Sequence, residues 1–183
     1  MSATATATRT AAPTGTFAVD PGHSRVEFKV KHLGISTVRG HFSEFEGVLE
    51  LGDEPRARGS VSVATVDTNE PRRDDHLRSA DFFDAEVHPR IEFESTAIEA
   101  VDEDAFRITG DLTLHGVTRE LVLDAEITGA GEDPWGHERV GLEVTGELNR
   151  GDYGMTFNQA LGGGNVLVSD KVKVALELEA VRQ

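Results

Sequence analysis

The chain has 183 residues, enough for one domain with a buried core. It contains no cysteine, which excludes disulfides and thiolate chemistry, and its 33 acidic against 18 basic residues give a net charge of −15. Proteins bind nucleic acids and anionic lipid surfaces through basic patches. The charge therefore predicts a protein that binds no nucleic acid and does not dock on anionic membranes, although a lipid can still be held inside it.

Residues 1–16 consist mostly of alanine and threonine. They lack the apolar stretch of about seven or more residues that a secretory signal needs, and no apolar run of about eighteen residues occurs anywhere. We therefore predict a flexible tail over 1–16, one domain over 17–183, a cytoplasmic location and no stable membrane insertion. A chain from which an export signal had been removed would look the same.

The rest of the chain alternates apolar and polar residues with period two, which is typical of strands with one buried face. This pattern covers residues 25–31, 37–42, 44–51, 60–66, 91–95, 106–114, 121–127, 140–148 and 172–180. These segments amount to about eight strands with short turns and no helix long enough for a βαβ crossover. They predict an all-β antiparallel sandwich or barrel, and the regular alternation favours an eight-stranded barrel, because closure leaves no exposed edge.

Three glycines fall on apolar strand faces, where a core normally holds valine or isoleucine: Gly47, Gly110 and Gly146. One interpretation is that they are bends or bulges that let the strands coil into a barrel. The other is that side-chain volume is missing at the centre, which leaves a lumen. The two are compatible, since an eight-stranded barrel is either filled by side chains or holds one small ligand.

The segment 73–84 does not alternate: five charged residues and a histidine precede Phe82 and Phe83. We predict a short helix over residues 72–79 that covers one end of the barrel, with the two phenylalanines as apolar plugs. Asp74 or Asp75 would lie near its start, where the helix dipole favours negative charge. The alternative is a solvated helix that closes the sheet and has no role in binding.

The sequence contains no motif that indicates catalysis or a metal. The seven histidines form no His-x-His or His-Glu-x-x-His pattern. Residues 22–26 lack the second glycine of a nucleophile elbow, and the glycine-rich residues 162–165 are not followed by the Gly-Lys-Ser/Thr of a phosphate loop. The sequence therefore predicts no catalytic residue, no cofactor and no metal.

Over about residues 17–181 the chain resembles the YceI-like family of polyisoprenoid-binding proteins. The motifs that carry the resemblance are Asp20-Pro21-Gly22-His23-Ser24, His32, Gly40-His41-Phe42, Phe45-Glu46-Gly47, Arg73-Asp74-Asp75-His76-Leu77, Asp81-Phe82-Phe83-Asp84, His88-Pro89-Arg90-Ile91-Glu92-Phe93, Gly110-Asp111-Leu112-Thr113-Leu114-His115-Gly116-Val117-Thr118 and Asn149-Arg150-Gly151-Asp152-Tyr153-Gly154-Met155. Together they are highly specific, whereas any one alone would be weak.

The resemblance implies a lipocalin-like antiparallel barrel whose lumen holds a long isoprenoid chain, without catalysis. The ligand would be a polyprenyl pyrophosphate, an isoprenoid quinone or another long-chain amphiphile. We expect the inward strand residues and the two plugs to contact it. This predicted binding set is Val26, Phe28, Val30, Phe42, Phe45, Gly47, Leu49, Phe82, Phe83, Ile91, Phe93, Ile108, Gly110, Leu112, Leu142, Val144, Gly146, Val174 and Leu176.

A pyrophosphate headgroup in so acidic a chain needs local cations, and four residues are candidates: Arg73, His76, Arg78 and Arg150. The alternative is that these arginines neutralise aspartates of the protein itself. Two rival functions remain open. One is an enzyme with an acid or base such as His23, His115 or Asp152, and the other is a stress-associated or scaffold barrel that is packed solid. The pattern is also compatible with a homodimer.

Overall fold

The computed structural model describes residues 13–164 and 166–183. Within this part of the chain the fold is all-β with one short α-helix, as predicted. The helix α1 (Pro71–Arg78) lies between β6 and β7, close to the predicted range. The strands are β1 (Gly15–Val19), β2 (Arg25–His32), β3 (Ser36–Phe42), β4 (Phe45–Leu51), β5 (Arg56–Ser62), β6 (Val66–Asp67), β7 (Arg90–Ala100), β8 (Ala105–Leu114), β9 (Val117–Glu132), β10 (Glu138–Asn149) and β11 (Val168–Arg182).

Most of the predicted tail, residues 1–12, lies outside the described residues. Strand β1 begins at Gly15, two residues before the predicted start of the domain. It is also a strand that the sequence did not predict, since no clear alternation marks residues 15–19.

Eight strands form a closed ring in the order β1, β4, β5, β7, β8, β9, β10 and β11, and β11 pairs back with β1. All neighbouring pairs are antiparallel. The long strand β11 closes the barrel, because its second half pairs with β1 (Val19 opposite Ala180) and its first half with β2 (Val30 opposite Val172). Strands β3 and β6 extend the sheet beyond β2. The predicted eight-stranded barrel is thereby confirmed.

The end of the barrel at which β1 lies is called the packed end. Phe17, Val140 and Ala180 are fully buried there and pack against Leu49 and Leu142. These residues come from four different strands of the ring, so β1 brings together side chains that are distant in sequence. Full burial of large apolar side chains is a main source of stability in a domain.

Arg139 joins three carboxylates beside the packed end. Its guanidinium donates to Asp20 (3.0 Å), Asp133 (2.9 Å) and Glu179 (2.6 Å), and these bonds raise its pKa. The hydrogen bond from His23, followed by that from Arg139, lowers the pKa of Asp20. Burial alone would raise the pKa of Asp133, but backbone N–H groups and Arg139 outweigh it and hold that pKa well below its usual range.

Candidate binding cavity

The barrel encloses a cavity of about 280 Å³, lined almost entirely by apolar side chains. Packed protein interiors contain few voids larger than a water molecule, which needs roughly 10–15 Å³. A cavity of this size is therefore not a packing defect. Its apolar lining makes it a site for an apolar ligand rather than for water.

All members of the predicted binding set line the cavity except Gly110 and Gly146, and together they make up about half of the lining residues. The sequence missed several further lining residues. Leu121 and Leu123 belong to an alternating segment that could have supplied them, whereas Leu77 in α1 and Met155 after β10 carried no such signal. The lining residues of the predicted set are Val26, Phe28, Val30, Phe42, Phe45, Gly47, Leu49, Phe82, Phe83, Ile91, Phe93, Ile108, Leu112, Leu142, Val144, Val174 and Leu176.

Gly110 lets an aromatic ring lie close to the sheet. A Cβ atom at Gly110 would overlap the Phe93 ring and the Glu94 carbonyl oxygen, and one at Gly146 would overlap Leu123. Neighbouring side chains thus occupy the space that a larger residue would need. A leucine at Gly110 would strain the strand instead of filling a void, so contact of either glycine with a ligand stays a prediction.

The helix α1 and the residues after it cover the other end of the barrel, called the covered end. Pro71 occupies the first turn, and the Glu70 side chain caps the helix by accepting from the N–H of Arg72 (3.1 Å). The Phe83 ring packs against Phe42, with centroids 5.8 Å apart. Since Phe83 also lines the cavity, the cover contacts the lumen directly.

A buried carboxylate attaches α1 to the segment that precedes it. Asp74, in the first turn of the helix as predicted, accepts from the backbone N–H of Thr68 (2.9 Å). Arg73 donates to the hydroxyl (2.7 Å) and the carbonyl oxygen (2.8 Å) of the same threonine. Arg73 does not line the cavity, and its bonds serve the attachment of the helix.

His76 and Arg78 also bind groups of the protein. His76 contacts the carboxylate of Asp81 (2.8 Å), and Arg78 donates to the carbonyl oxygen of Ala64 (3.0 Å) and to Asp75 (3.1 Å). Neither residue lines the cavity. These contacts fit the alternative in which the charged residues of the helical insertion, residues 72–84, neutralise one another.

Arg150 is the candidate headgroup residue that does line the cavity. It is 3% exposed and donates to the carbonyl oxygens of Met155 (2.7 Å), Phe157 (2.8 Å) and Ser169 (3.0 Å), and it pairs with Asp170 (3.3 Å). Burial lowers its pKa, and Asp170 opposes that shift. The guanidinium thus organises the chain between β10 and β11 beside the cavity.

The fold also assembles a group that the sequence did not predict. Asp84 and His88 follow α1, and His115 lies in the turn between β8 and β9. Their ligand-type atoms lie within 4.8 Å of one another. Asp20, His23 and Glu179 form a second such group beside the packed end. Separately, no helix in the described residues has the length and apolar character needed to cross a bilayer.

A closed antiparallel ring around an apolar cavity, with one end covered by an insertion, defines a hollow barrel of the lipocalin-like type. The chain belongs to the YceI-like domain family, whose sequence profile matches residues 17–180. Protein YceI of Escherichia coli O157:H7 is 38% identical over 165 residues, which cover 88% of this chain and 83% of that protein. A UPF0312 protein of Ectopseudomonas mendocina is 41% identical over 165 residues, with 88% and 83% coverage.

Two solved structures share the fold. The YceI protein of Campylobacter jejuni is 32% identical with a TM-score of 0.74, and the alignment covers 85% of this chain and 91% of that one. A polyisoprenoid binding domain from Saccharophagus degradans has a TM-score of 0.66 at 15% identity, with 91% and 98% coverage. At that identity the second likeness shows the fold alone. The family predicted from the motifs is confirmed.

Proposed function

We propose that this protein is a non-catalytic carrier that holds a long isoprenoid chain, of a polyprenyl pyrophosphate or an isoprenoid quinone, inside its barrel. The observation that carries the proposal is the apolar cavity of about 280 Å³ within a closed YceI-like barrel. The description of the Saccharophagus degradans neighbour as a polyisoprenoid binding domain supports it. Transfer of an apolar tail from water to such a lining is favourable because apolar surface leaves water.

The dimensions set limits on the tail. A ten-residue strand tilted by ~40° spans roughly 25 Å of barrel axis, and an extended isoprene unit adds about 5 Å, so about five units fit along the barrel. A longer tail must therefore move lining side chains or leave through the covered end.

The gross gain from burial is large for such a ligand. Each buried five-carbon unit contributes up to ~4 kcal/mol, so five units would approach the roughly 20 kcal/mol ceiling of non-covalent binding. Ordering the flexible tail offsets much of this gain. We expect affinity that depends on tail length and tolerates different headgroups.

Of the four candidate headgroup residues, the proposal includes only Arg150. Its side chain lines the cavity, whereas Arg73 and Arg78 donate to protein groups outside it. A pyrophosphate beside Arg150 would compete with the carbonyl oxygens that this arginine already binds. This competition favours a protein that recognises mainly the tail. The cytoplasmic location, the homodimer and the lack of nucleic-acid binding stay predictions.

The cavity weighs against one rival function and leaves the other to experiment. A scaffold barrel packed solid does not contain an apolar void of about 280 Å³. An enzyme would need an acid or base within reach of a lipophilic substrate. Of the sequence candidates, His23, His115 and Asp152 all lie outside the cavity lining.

The test is a titration with polyprenols of increasing length against wild type and Val174→Trp. Val174 lines the cavity from β11, and the added ring should fill the space a tail needs and weaken binding at least about tenfold. Lys173→Trp is the matched control, because Lys173 is exposed and does not line the cavity. The proposal would be contradicted if affinity did not change with tail length, or if Val174→Trp and Lys173→Trp bound equally well.

A further inference from the structure

We propose that Asp84, His88 and His115 form a binding site for one divalent transition-metal ion of the zinc type. Each side chain is half-buried, and one ligand-type atom from each lies within 4.8 Å of the other two. The imidazole rings of His88 and His115 are 4.9 Å apart between centroids. The sequence predicted no metal site, because His115 is far from the other two residues along the chain.

The first two ligands are fixed relative to each other by backbone hydrogen bonds. The carbonyl oxygen of Asp84 accepts from the N–H of Val87 (3.0 Å) and of His88 (2.8 Å). Asp84 itself has a left-handed backbone conformation with φ of 50°. This tight turn holds the carboxylate and the imidazole on the same short segment.

The third ligand lies in a tight turn with positive φ, a conformation that glycine and asparagine adopt most readily. His115 and Gly116 form the two-residue turn between β8 and β9, with φ of 53° and 73°. Hairpin turns with positive φ at both residues strongly favour Asn-Gly, Asp-Gly or Gly-Gly. A histidine in this conformation is strained, and such strain tends to occur where a side chain has a function.

The hydrogen bonding of His115 leaves one ring nitrogen for a metal. Its Nδ1 lies 3.0 Å from the carbonyl oxygen of Tyr153. A carbonyl oxygen only accepts, so Nδ1 carries the proton and Nε2 keeps its lone pair. Histidines that bind metals generally donate their other ring nitrogen to a carbonyl or carboxylate in this way.

Gly116 provides the space that brings His88 to the turn. The His88 ring lies so close to Gly116 that a Cβ atom there would be 2.6 Å from the ring carbon Cε1. Neither the His88 ring nor the Asp84 carboxylate makes a hydrogen bond to another described residue, and the His88 ring packs against His115. Both groups are therefore available to bind an ion.

The donor set selects the class of metal. Two imidazoles and one carboxylate suit zinc, cobalt, nickel or ferrous iron, whereas calcium and magnesium prefer oxygen ligands. Tetrahedral zinc with Zn–N bonds of about 2.0–2.1 Å places its ligands about 3.4 Å apart, so modest side-chain rotations would close the site. Three protein ligands leave one position for water or for a polar group of a ligand.

The second group, Asp20, His23 and Glu179, is not equivalent. Arg139 already donates to both of its carboxylates, at 3.0 Å and 2.6 Å. A metal there would have to displace a guanidinium. By contrast, an ion at the first group would link the segment after α1 to the β8–β9 turn, and so attach the cover to the barrel.

The experiment is a titration of the chelator-treated full chain with Zn²⁺, followed by calorimetry and by thermal unfolding. We expect wild type to bind about one equivalent and to unfold at a higher temperature with zinc, while Mg²⁺ has no effect. His88→Ala and His115→Asn should each weaken binding at least about tenfold. Asparagine is chosen because it tolerates positive φ.

His23→Ala is the matched control, since it removes a histidine of the second group and should leave zinc binding unchanged. If His115→Asn fails to fold by circular dichroism, His88→Ala alone carries the test. Absence of saturable zinc binding by wild type would overturn the proposal. Equal binding by wild type and His88→Ala, or loss of binding in His23→Ala, would do the same.

Discussion

The two ends of the barrel are built in opposite ways. At the packed end, Phe17 and Val140 are fully buried, and among the described residues the α-helix contributes nothing to this cluster. At the covered end, the half-buried Phe28 ring contacts Phe83, which comes from the segment after α1 and lines the cavity. Fully buried side chains occur near both ends, including Val63 and Val66 near the covered end. Only the covered end has a helical segment whose residues line the cavity, and we propose that this end accommodates the ligand.

Two arginines, one half-buried and one buried, show the same division. Arg139, at the packed end, is surrounded by carboxylates, and its pKa is raised. Arg150, beside the covered end, is buried mostly among carbonyl oxygens, and its pKa is lowered. Arg139 links separate segments through ion pairs, whereas Arg150 organises an irregular segment next to the cavity.

The largest effect is expected from Phe17→Ala. Removing this fully buried ring should lower the free energy of unfolding by about 3–5 kcal/mol, whereas Phe28→Ala should cost clearly less because that ring lines a cavity. Urea denaturation of both variants measures the difference. Equal losses would mean that the two ends are packed alike.

The next effect concerns Arg150. Replacement by leucine leaves the carbonyl oxygens of Met155, Phe157 and Ser169 without their donor, and should destabilise the protein by about 2–4 kcal/mol. Arg150→Lys should recover little of the lost stability, because an ammonium group cannot donate to several carbonyl oxygens as the planar guanidinium does. Arg25→Leu, at an exposed ion pair, is the control and should change stability by less than about 1 kcal/mol. An Arg150→Leu protein as stable as the control would refute this role.

Ligand should protect the covered end from proteolysis and leave the packed end unaffected. A bound tail would contact Leu77, Phe82 and Phe83, so cleavage within residues 71–88 should slow severalfold when a polyprenol is added. Limited proteolysis with mass spectrometry locates the cuts. Identical cleavage with and without ligand would show that the insertion is not a lid.

The smallest effect is the pH dependence of the stability that the carboxylates beside the packed end contribute. The pKa values of Asp20 and Asp133 are lower than in the unfolded chain, where a carboxyl titrates near about 3.9. Their contribution to stability is present above about pH 4 and is lost as the pH falls toward the folded-state values. Arg139→Gln should weaken this dependence between about pH 4 and pH 2. Acid unfolding followed by circular dichroism, with Arg25→Gln as control, measures it, and unchanged curves would contradict the assignment.

The sequence predicts the barrel well because period-two alternation is a local signal, and β8 shows it with Ile108 and Leu112 buried. It predicts α1 because charge and phenylalanine interrupt that alternation. It misses β1, whose pairing with β4 and β11 depends on contacts far apart in the chain. It also suggested a lumen at Gly110, where the neighbouring Phe93 fills the space.

The site is predictable where it consists of inward strand residues and unpredictable where loops supply it. Met155 lines the cavity from an irregular segment that Arg150 organises, and no periodic pattern marks it. Asp84 and His115 meet only because the insertion folds back onto the β8–β9 turn. Proximity of this kind depends on the closed barrel and has no signal in residue spacing.

Mass spectrometry of an organic-solvent extract of the purified protein, compared with an extract of Val174→Trp prepared in parallel, tests whether the cavity holds an isoprenoid chain. We expect a co-purifying isoprenoid lipid in wild type, near one molecule per chain, and much less in the variant. A wild-type extract without isoprenoid, or equal amounts from both proteins, would contradict the claim that the cavity holds an isoprenoid chain.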